Sequence, residues 1–206
     1  RDLGHHKIFD HYTEITKEFE INQETINWHF HPMSTYKEAH RCATSYVNSP
    51  HLYEILCKKI IERKWFPSVF RAGFQTERPD SNWFLEQWIP FDISNMSVEN
   101  TNHLNKSIDF KNGRSGDWRL ATKEWEVYHP DHDNYQIKGD CRRWIGRALN
   151  PLNRIGAMDQ FEMDKAFSRA NKNLPTLLGV ASHDFRDLRK ETEFISNLIQ
   201  NSKQIY

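Results

Sequence analysis

The sequence predicts an α/β fold in which short parallel strands, each followed by a helix, form a sheet or barrel. Three observations predict it. Short runs rich in aromatic and branched apolar residues alternate with helix-period segments of about ten to fifteen residues, the rhythm of βα units. The run Pro175–Ser182 is almost continuously apolar, as a strand covered on both faces would be. Aromatic residues make up 13% of the chain although hydrophobic residues make up only 37%, and a disordered chain is poor in rings. At 206 residues the chain has room for a core without disulfide or metal staples. We read it as one domain, 1–206, with an irregular insertion near 94–116.

The elements follow in order. Ile8, Phe9, Tyr12, Ile15 and Phe19 recur at helical spacing over 7–19. Residues 24–31 have strand character and stop at Pro32. Ser49-Pro50 opens a helix to about Lys64, with proline at the position helices tolerate best. Residues 68–72 read as a buried strand ending at Gly73, 79–88 as a helix and 89–93 as a strand. Asn, Ser and Gly then accumulate from Ser94 to Gly116, which marks a long loop. Residues 125–128 and 141–149 are candidate strands, 159–170 a helix, 175–182 the apolar strand and 191–200 the last helix.

Polar residues that could carry chemistry gather at the expected strand ends. In Asn27-Trp28-His29-Phe30-His31-Pro32 the strand period of two puts Asn27, His29 and His31 on one face and the two rings on the other. Two imidazoles so placed can reach one divalent ion; a His-rich strand end without metal is the plainer alternative. Ser182-His183-Asp184-Phe185-Arg186 follows the most apolar strand. His183 beside Asp184 suits acid–base work and Arg186 suits an anion or carbonyl oxygen, although Ser182 or Asp184 equally suits a helix cap. Arg71, leaving the strand before Gly73, can orient a carboxylate or hold an oxyanion. Asp92 is placed at a third strand end. Asp117-Trp118-Arg119 combines an acid, a ring and a guanidinium, a set that suits sugar binding or an ordinary salt bridge. His129-Pro-Asp-His-Asp133 offers nitrogen and oxygen donors, or a solvated loop.

Other classes are excluded. Lys+Arg and Asp+Glu each total 28, so the basic excess of a nucleic-acid binder is missing. No apolar run spans a membrane. Phosphate-binding glycine loops, GxSxG and HExxH are absent. Cys42, Cys57 and Cys141 show no CxxC spacing; they read as free thiols and lean the compartment towards the cytoplasm.

In this order the motifs Trp28-His29-Phe30-His31-Pro32, Phe70-Arg71-Ala72-Gly73, the strand carrying Asp92, Asp117-Trp118-Arg119 and Ser182–Asp187 resemble the polysaccharide deacetylase-like family. The likeness runs from about Asn27 to Arg189 and is nearest to divergent members associated with surface-polysaccharide gene clusters. It implies a distorted (β/α) barrel of the glycoside hydrolase/deacetylase type. It implies a metal-dependent hydrolase that removes acetyl groups from a glycan or glycan precursor. The resemblance makes His29 and His31 ligands of a divalent metal, zinc by preference. It makes His183 the general acid with Asp184 beside it, Arg71 the residue that orients a catalytic Asp, and Asp92 a supporting carboxylate. The substrate-binding set is then Asp92, Asp117, Trp118, Arg119 and Arg186. Two features differ from the family pattern. Only Phe30 separates the two histidines, where the family places three residues. The Asp-Asp pair that supplies the base and third ligand is not found before His29, so the expected barrel lacks its first strand or this chain lacks the motif. Two other readings stand beside this one. One is a non-catalytic glycan-binding or assembly module on the same barrel, and the other an amidohydrolase-like metallohydrolase, which also places HxH on a strand.

Overall fold

The computed structural model describes residues 4–18, 25–31, 50–77, 79–99, 116–150, 157–183 and 187–205. The elements are α1 (Gly4–Glu18), β1 (Trp28–Phe30), α2 (Pro50–Arg63), β2 (Val69–Ala72), α3 (Pro79–Leu85), β3 (Phe91–Asn95), β4 (Trp144–Leu149), α4 (Gln160–Asn171), β5 (Gly179–Val180) and α5 (Thr192–Ile205). The five strands form one sheet in the order β1-β2-β3-β4-β5, and every neighbouring pair is parallel. The fold is therefore mixed α/β, with helices in three of the four crossovers among the described residues, in keeping with the alternating pattern. The sheet does not close among the described residues.

Two apolar clusters hold it. Trp28 and Phe30 of β1, Phe70 and Ala72 of β2, Leu56 of α2, Leu85 of α3 and Ile89 form one. Register explains it: Trp28 pairs with Phe70 and Phe30 with Ala72, so all four side chains leave the same face. The intervening His29 pairs with Arg71 and leaves the other face. Asn27 aligns the two strands by accepting from Ser68 N at 3.2 Å and Val69 N at 3.0 Å. The second cluster joins Ile145 and Leu149 of β4 to Met163 and Ala166 of α4, Leu198 of α5 and the rings Trp118, Trp125, Tyr128 and Tyr135. α4 starts at Asp159, whose side chain accepts from Glu162 N at 2.9 Å, an N-cap.

Three expectations change. Residues 125–128 do not form a strand; Tyr128 makes one antiparallel bridge to Ile145, with N–O distances of 3.0 and 2.8 Å. It fills the part of β4 that β5 leaves bare, because β5 pairs only with Ala148 and Leu149. The apolar run 175–182 yields only the two-residue β5, and Val180 is 38% exposed. Pro175 has no N–H to donate, and Leu177 N is drawn to Trp125 O at 3.0 Å. The expected loop from Ser94 begins later, since Ser94 and Asn95 belong to β3; its stretch 100–115 lies outside the described residues.

Candidate functional site

The site is built on the two histidines of β1. Because Trp28 and Phe30 are buried, the alternation of the strand turns His29 towards solvent. Its Nδ1 lies 2.8 Å from Arg71 O. A carbonyl only accepts, so Nδ1 carries the hydrogen and Nε2 keeps its lone pair. His31 Nε2 lies 2.9 Å from that lone pair and donates to it. The two rings meet edge to face at 4.7 Å, and His31 rests edge-on against Phe74 at 4.8 Å. Gly73 makes room: a Cβ there would stand 2.4 Å from His31 Cγ.

Electrostatics keep both imidazoles neutral. His29 is pushed down to about 4, first by burial of its nitrogens among protein atoms, then by His31, with Arg71 and His183 adding repulsion and the bond to Arg71 O opposing. His31 is lowered by burial, then by the charges of Arg71 and His183. Neutral imidazoles are the form that ligates metal or accepts a proton.

Arg71 stands beside them at the end of β2. Gln75, in the amide orientation that satisfies both its ends, accepts from Arg71 Nη2 and donates to Phe74 O at 3.2 Å. Arg71 Nε is buried with no hydrogen-bond partner among the described residues. Burial disfavours the guanidinium's charge and the Asp92 carboxylate favours it.

Asp92 lies near the amino end of β3, not at its carboxyl end, and is fully buried. Its Oδ1 accepts from Ser94 N at 2.7 Å, and its Oδ2 pairs with Arg143 Nη2. Arg143 Nη1 also donates to Asn82 Oδ1 at 3.0 Å and sits 3.5 Å from Glu77 Oε2. Glu77 is raised well above the usual carboxylate range by burial and then by the like charge of Asp92. With Glu77 neutral, one guanidinium faces one carboxylate and the buried charges cancel.

Asp117, Trp118 and Arg119 lie behind this corner. Trp118 is 2% exposed, donates Nε1–H to Gln75 O at 2.7 Å and meets Tyr135 edge-on at 4.9 Å, so neither face of its ring is open to a sugar. Gly116 N donates to Phe74 O at 2.9 Å, and a Cβ there would stand 1.8 Å from Gln75 O. This segment thus braces the turn of residues 73–75, which packs on His31. Asp117 and Arg119 bond each other at 2.7 and 2.9 Å.

His183 follows β5 and is exposed. Its charge bears on both His29 and His31, so the structure brings these three imidazoles and Arg71 into one electrostatic neighbourhood. Asp184 and Arg186 lie outside the described residues.

His29 and His31 bring their Nε2 atoms to 2.9 Å, so a divalent ion held by both would displace the hydrogen between them. A ligating histidine commonly has its other nitrogen tied to a carbonyl, as His29 has. Among the described residues they have no third His, Cys, Asp or Glu ligand close enough to complete a set; the one group of three is Glu86, His132 and Cys141, elsewhere in the fold. The loop 129–133 divides accordingly. His129 Nδ1 donates to Cys141 O at 2.7 Å and Arg143 O at 3.0 Å, while His132 belongs to the three-residue group. Sequence spacing does not connect Glu86 or Cys141 to that loop, and nothing in the sequence marks Gln75 or Arg143 as neighbours of the site. Comparison of the chain with family profiles, curated proteins and solved structures finds no match.

Proposed function

We propose that the chain is a carbohydrate deacetylase-like hydrolase whose reaction centre lies at the carboxyl ends of β1, β2 and β5. The observation that carries this reading is the contact of the neutral His29 and His31 rings, with His183 and the Arg71 guanidinium near enough to act on both electrostatically. Its setting supports it, because polar residues outside the carboxyl ends of parallel strands are where α/β proteins hold substrates.

A curled, barrel-like sheet belongs to the same proposal. Strand order 1-2-3-4-5 with every pair parallel is the winding of a (β/α) barrel. β1 and β5 are the edges of the sheet and would stand about 19 Å apart if it were flat. The influence of His183 on His29 and His31 fits edges drawn together at the carboxyl end.

In this reading His29 and His31 hold the divalent metal, for which imidazole donors favour zinc. When bound, the metal supplies Lewis acidity and lowers the pKa of a water. The rest is done by the chain's own groups. The bond from His29 Nδ1–H to Arg71 O fixes the ring's tautomer and direction. The positive charge of Arg71 beside the two rings favours the acetyl carbonyl oxygen as negative charge develops on it. His183, open to solvent, gives its proton to the departing amine or alcohol. Asp92 supports Arg71 from behind. Asp117, Trp118 and Arg119 stabilise the turn that places His31. The roles expected of Asp184 and Arg186 fall on residues outside those described.

Acetate release from N- and O-acetylated oligosaccharides, with zinc supplied, tests the reading. His183→Ala should lower kcat by about 10²–10⁴, the range for a lost general acid, and leave metal content unchanged. His29→Ala with His31→Ala should remove both activity and that metal. Glycan binding without acetate release would replace the enzyme with a binding module, which the lack of a third ligand among the described residues would then explain.

A further inference from the structure

A second ligand cluster lies near the opposite, amino end of the sheet. Glu86 sits in the turn after α3, Cys141 just before β4, and His132 in the loop between β3 and β4. One ligand atom from each lies within 4.8 Å of the other two. Zinc's usual bond lengths to S, N and O imply edges of roughly 3.3–3.7 Å, so small side-chain movements close the set.

The backbone that carries these groups is already fixed. Glu86 Oε2 accepts from Arg142 N at 3.0 Å, which ties α3 to the start of β4. Cys141 N donates to Pro130 O at 3.0 Å and Gly139 N to His129 O at 2.8 Å, closing the base of the loop. Asp131 Oδ1 accepts from Asp133 N at 2.9 Å and Asn134 N at 3.0 Å, which shapes the turn holding His132. Gly139 passes so near Asp131 that a Cβ would stand 2.4 Å from its Cα. Cys141 is buried, whereas Glu86 and His132 are half-buried, so an ion would find a soft donor beneath it and an approach from solvent.

We propose that Glu86, His132 and Cys141 bind a zinc ion that clamps α3 and the 129–141 loop to the start of β4. The donor set selects the metal: thiolate with imidazole and carboxylate suits zinc, whereas magnesium and calcium take all-oxygen sets. Three protein ligands leave a fourth position for water. The site is independent of the chemistry proposed at the carboxyl end.

The test uses the full chain carrying Cys42→Ser and Cys57→Ser, stripped with a chelator and titrated with cobalt(II), then zinc. The expected result is a thiolate-to-cobalt charge-transfer band with tetrahedral d–d bands, displaced by zinc, and a Tm that rises with zinc concentration. Cys141→Ser should abolish the charge-transfer band. Glu86→Gln and His132→Ala should each weaken binding about tenfold or more, and they decide the matter if the Cys141 variant does not fold. The His29→Ala, His31→Ala double variant should keep the band, which separates this site from the proposed reaction centre. A protein that retains Cys141 but shows no charge-transfer band overturns the proposal. So does a band indifferent to both Glu86→Gln and His132→Ala.

Discussion

At the carboxyl ends of β1 and β2, His29 and His31 face solvent, neutral and bonded to each other and to a carbonyl. Between the starts of β3 and β4, Asp92 and Arg143 are fully buried and bonded to each other. Arg147 of β4 repeats the second device. Its guanidinium donates to both Glu162 oxygens, at 2.5 and 2.7 Å, and to Ser97 O at 2.7 Å, and lies over the Trp125 ring. The difference teaches where this chain can meet a ligand. The buried ions are held by each other inside the core, out of reach of solvent. The histidine corner is exposed and its rings are tied to each other, so a ligand can be taken up there in exchange for the His29–His31 bond, with the core left intact.

The sharpest way to break this contrast is Arg143→Met. It removes the cation from a site holding Asp92 and Glu77 and leaves Asp92 without its counter-charge. Removing one partner of a buried ion pair costs about 3–5 kcal/mol, a large share of the roughly 5–15 kcal/mol that holds a typical domain. Urea unfolding should show that loss, whereas His31→Ala should stay within about 1 kcal/mol of the parent, as changes away from buried features do. Equal losses in the two variants would mean that the histidine corner is as structural as the ion pair.

Gly73→Ala sharpens the comparison from the other side. The new Cβ would fall 2.4–2.8 Å from three His31 ring atoms, and His31, being exposed, can swing away. We expect a stability cost at the low end of the roughly 1–3 kcal/mol range for overpacking. We expect a fall of about 10–100-fold in zinc affinity at the His29–His31 pair, the usual effect of misorienting a ligand. Isothermal titration in a Cys141→Ser background reads that pair alone. Unchanged affinity would show that His31 is not held by this contact.

The parts legible in the sequence are those governed by local period and turn chemistry. The helix from Pro50 is observed over Pro50–Arg63, and the Trp28/Phe30 alternation turns His29 outward as a strand must. What could not be read rests on contacts between distant segments. Asp92 looks like one more strand-end carboxylate until Arg143, fifty-one positions away, is found against it. Trp118 looks like a sugar platform until Gln75 O and Tyr135 are found closing over it. The apolar run after Pro175 has the composition of a buried strand, but Trp125 O takes the Leu177 N–H that would extend β5. The Glu86, His132 and Cys141 group joins three segments that no short motif connects.

The smallest expected effect lies in the pH dependence of the metal-free protein. His29 titrates near its ordinary 6.5 in the unfolded chain but is pushed down to about 4 in the folded one, chiefly by burial. Above 6.5 it is neutral in both states and its contribution to stability is fully present. As the pH falls below 6.5 the unfolded chain takes up a proton that the folded chain refuses, so stability is lost progressively until about 4. His31 acts in the same sense. The partial exposure of His29 lets solvent screen the effect, which is why it ranks below the other two. A His29→Asn variant, which cannot titrate, should therefore lose less stability than the parent between pH 6.5 and 5, a window above the ordinary carboxylate range. Glu77, shifted the opposite way, is present in both proteins and cancels in the difference. Chemical denaturation at several pH values in excess chelator gives the two slopes. Parallel slopes would show that the ring is as freely solvated in the folded chain as in the unfolded one, and the corner would then lack the desolvation that keeps its lone pairs available.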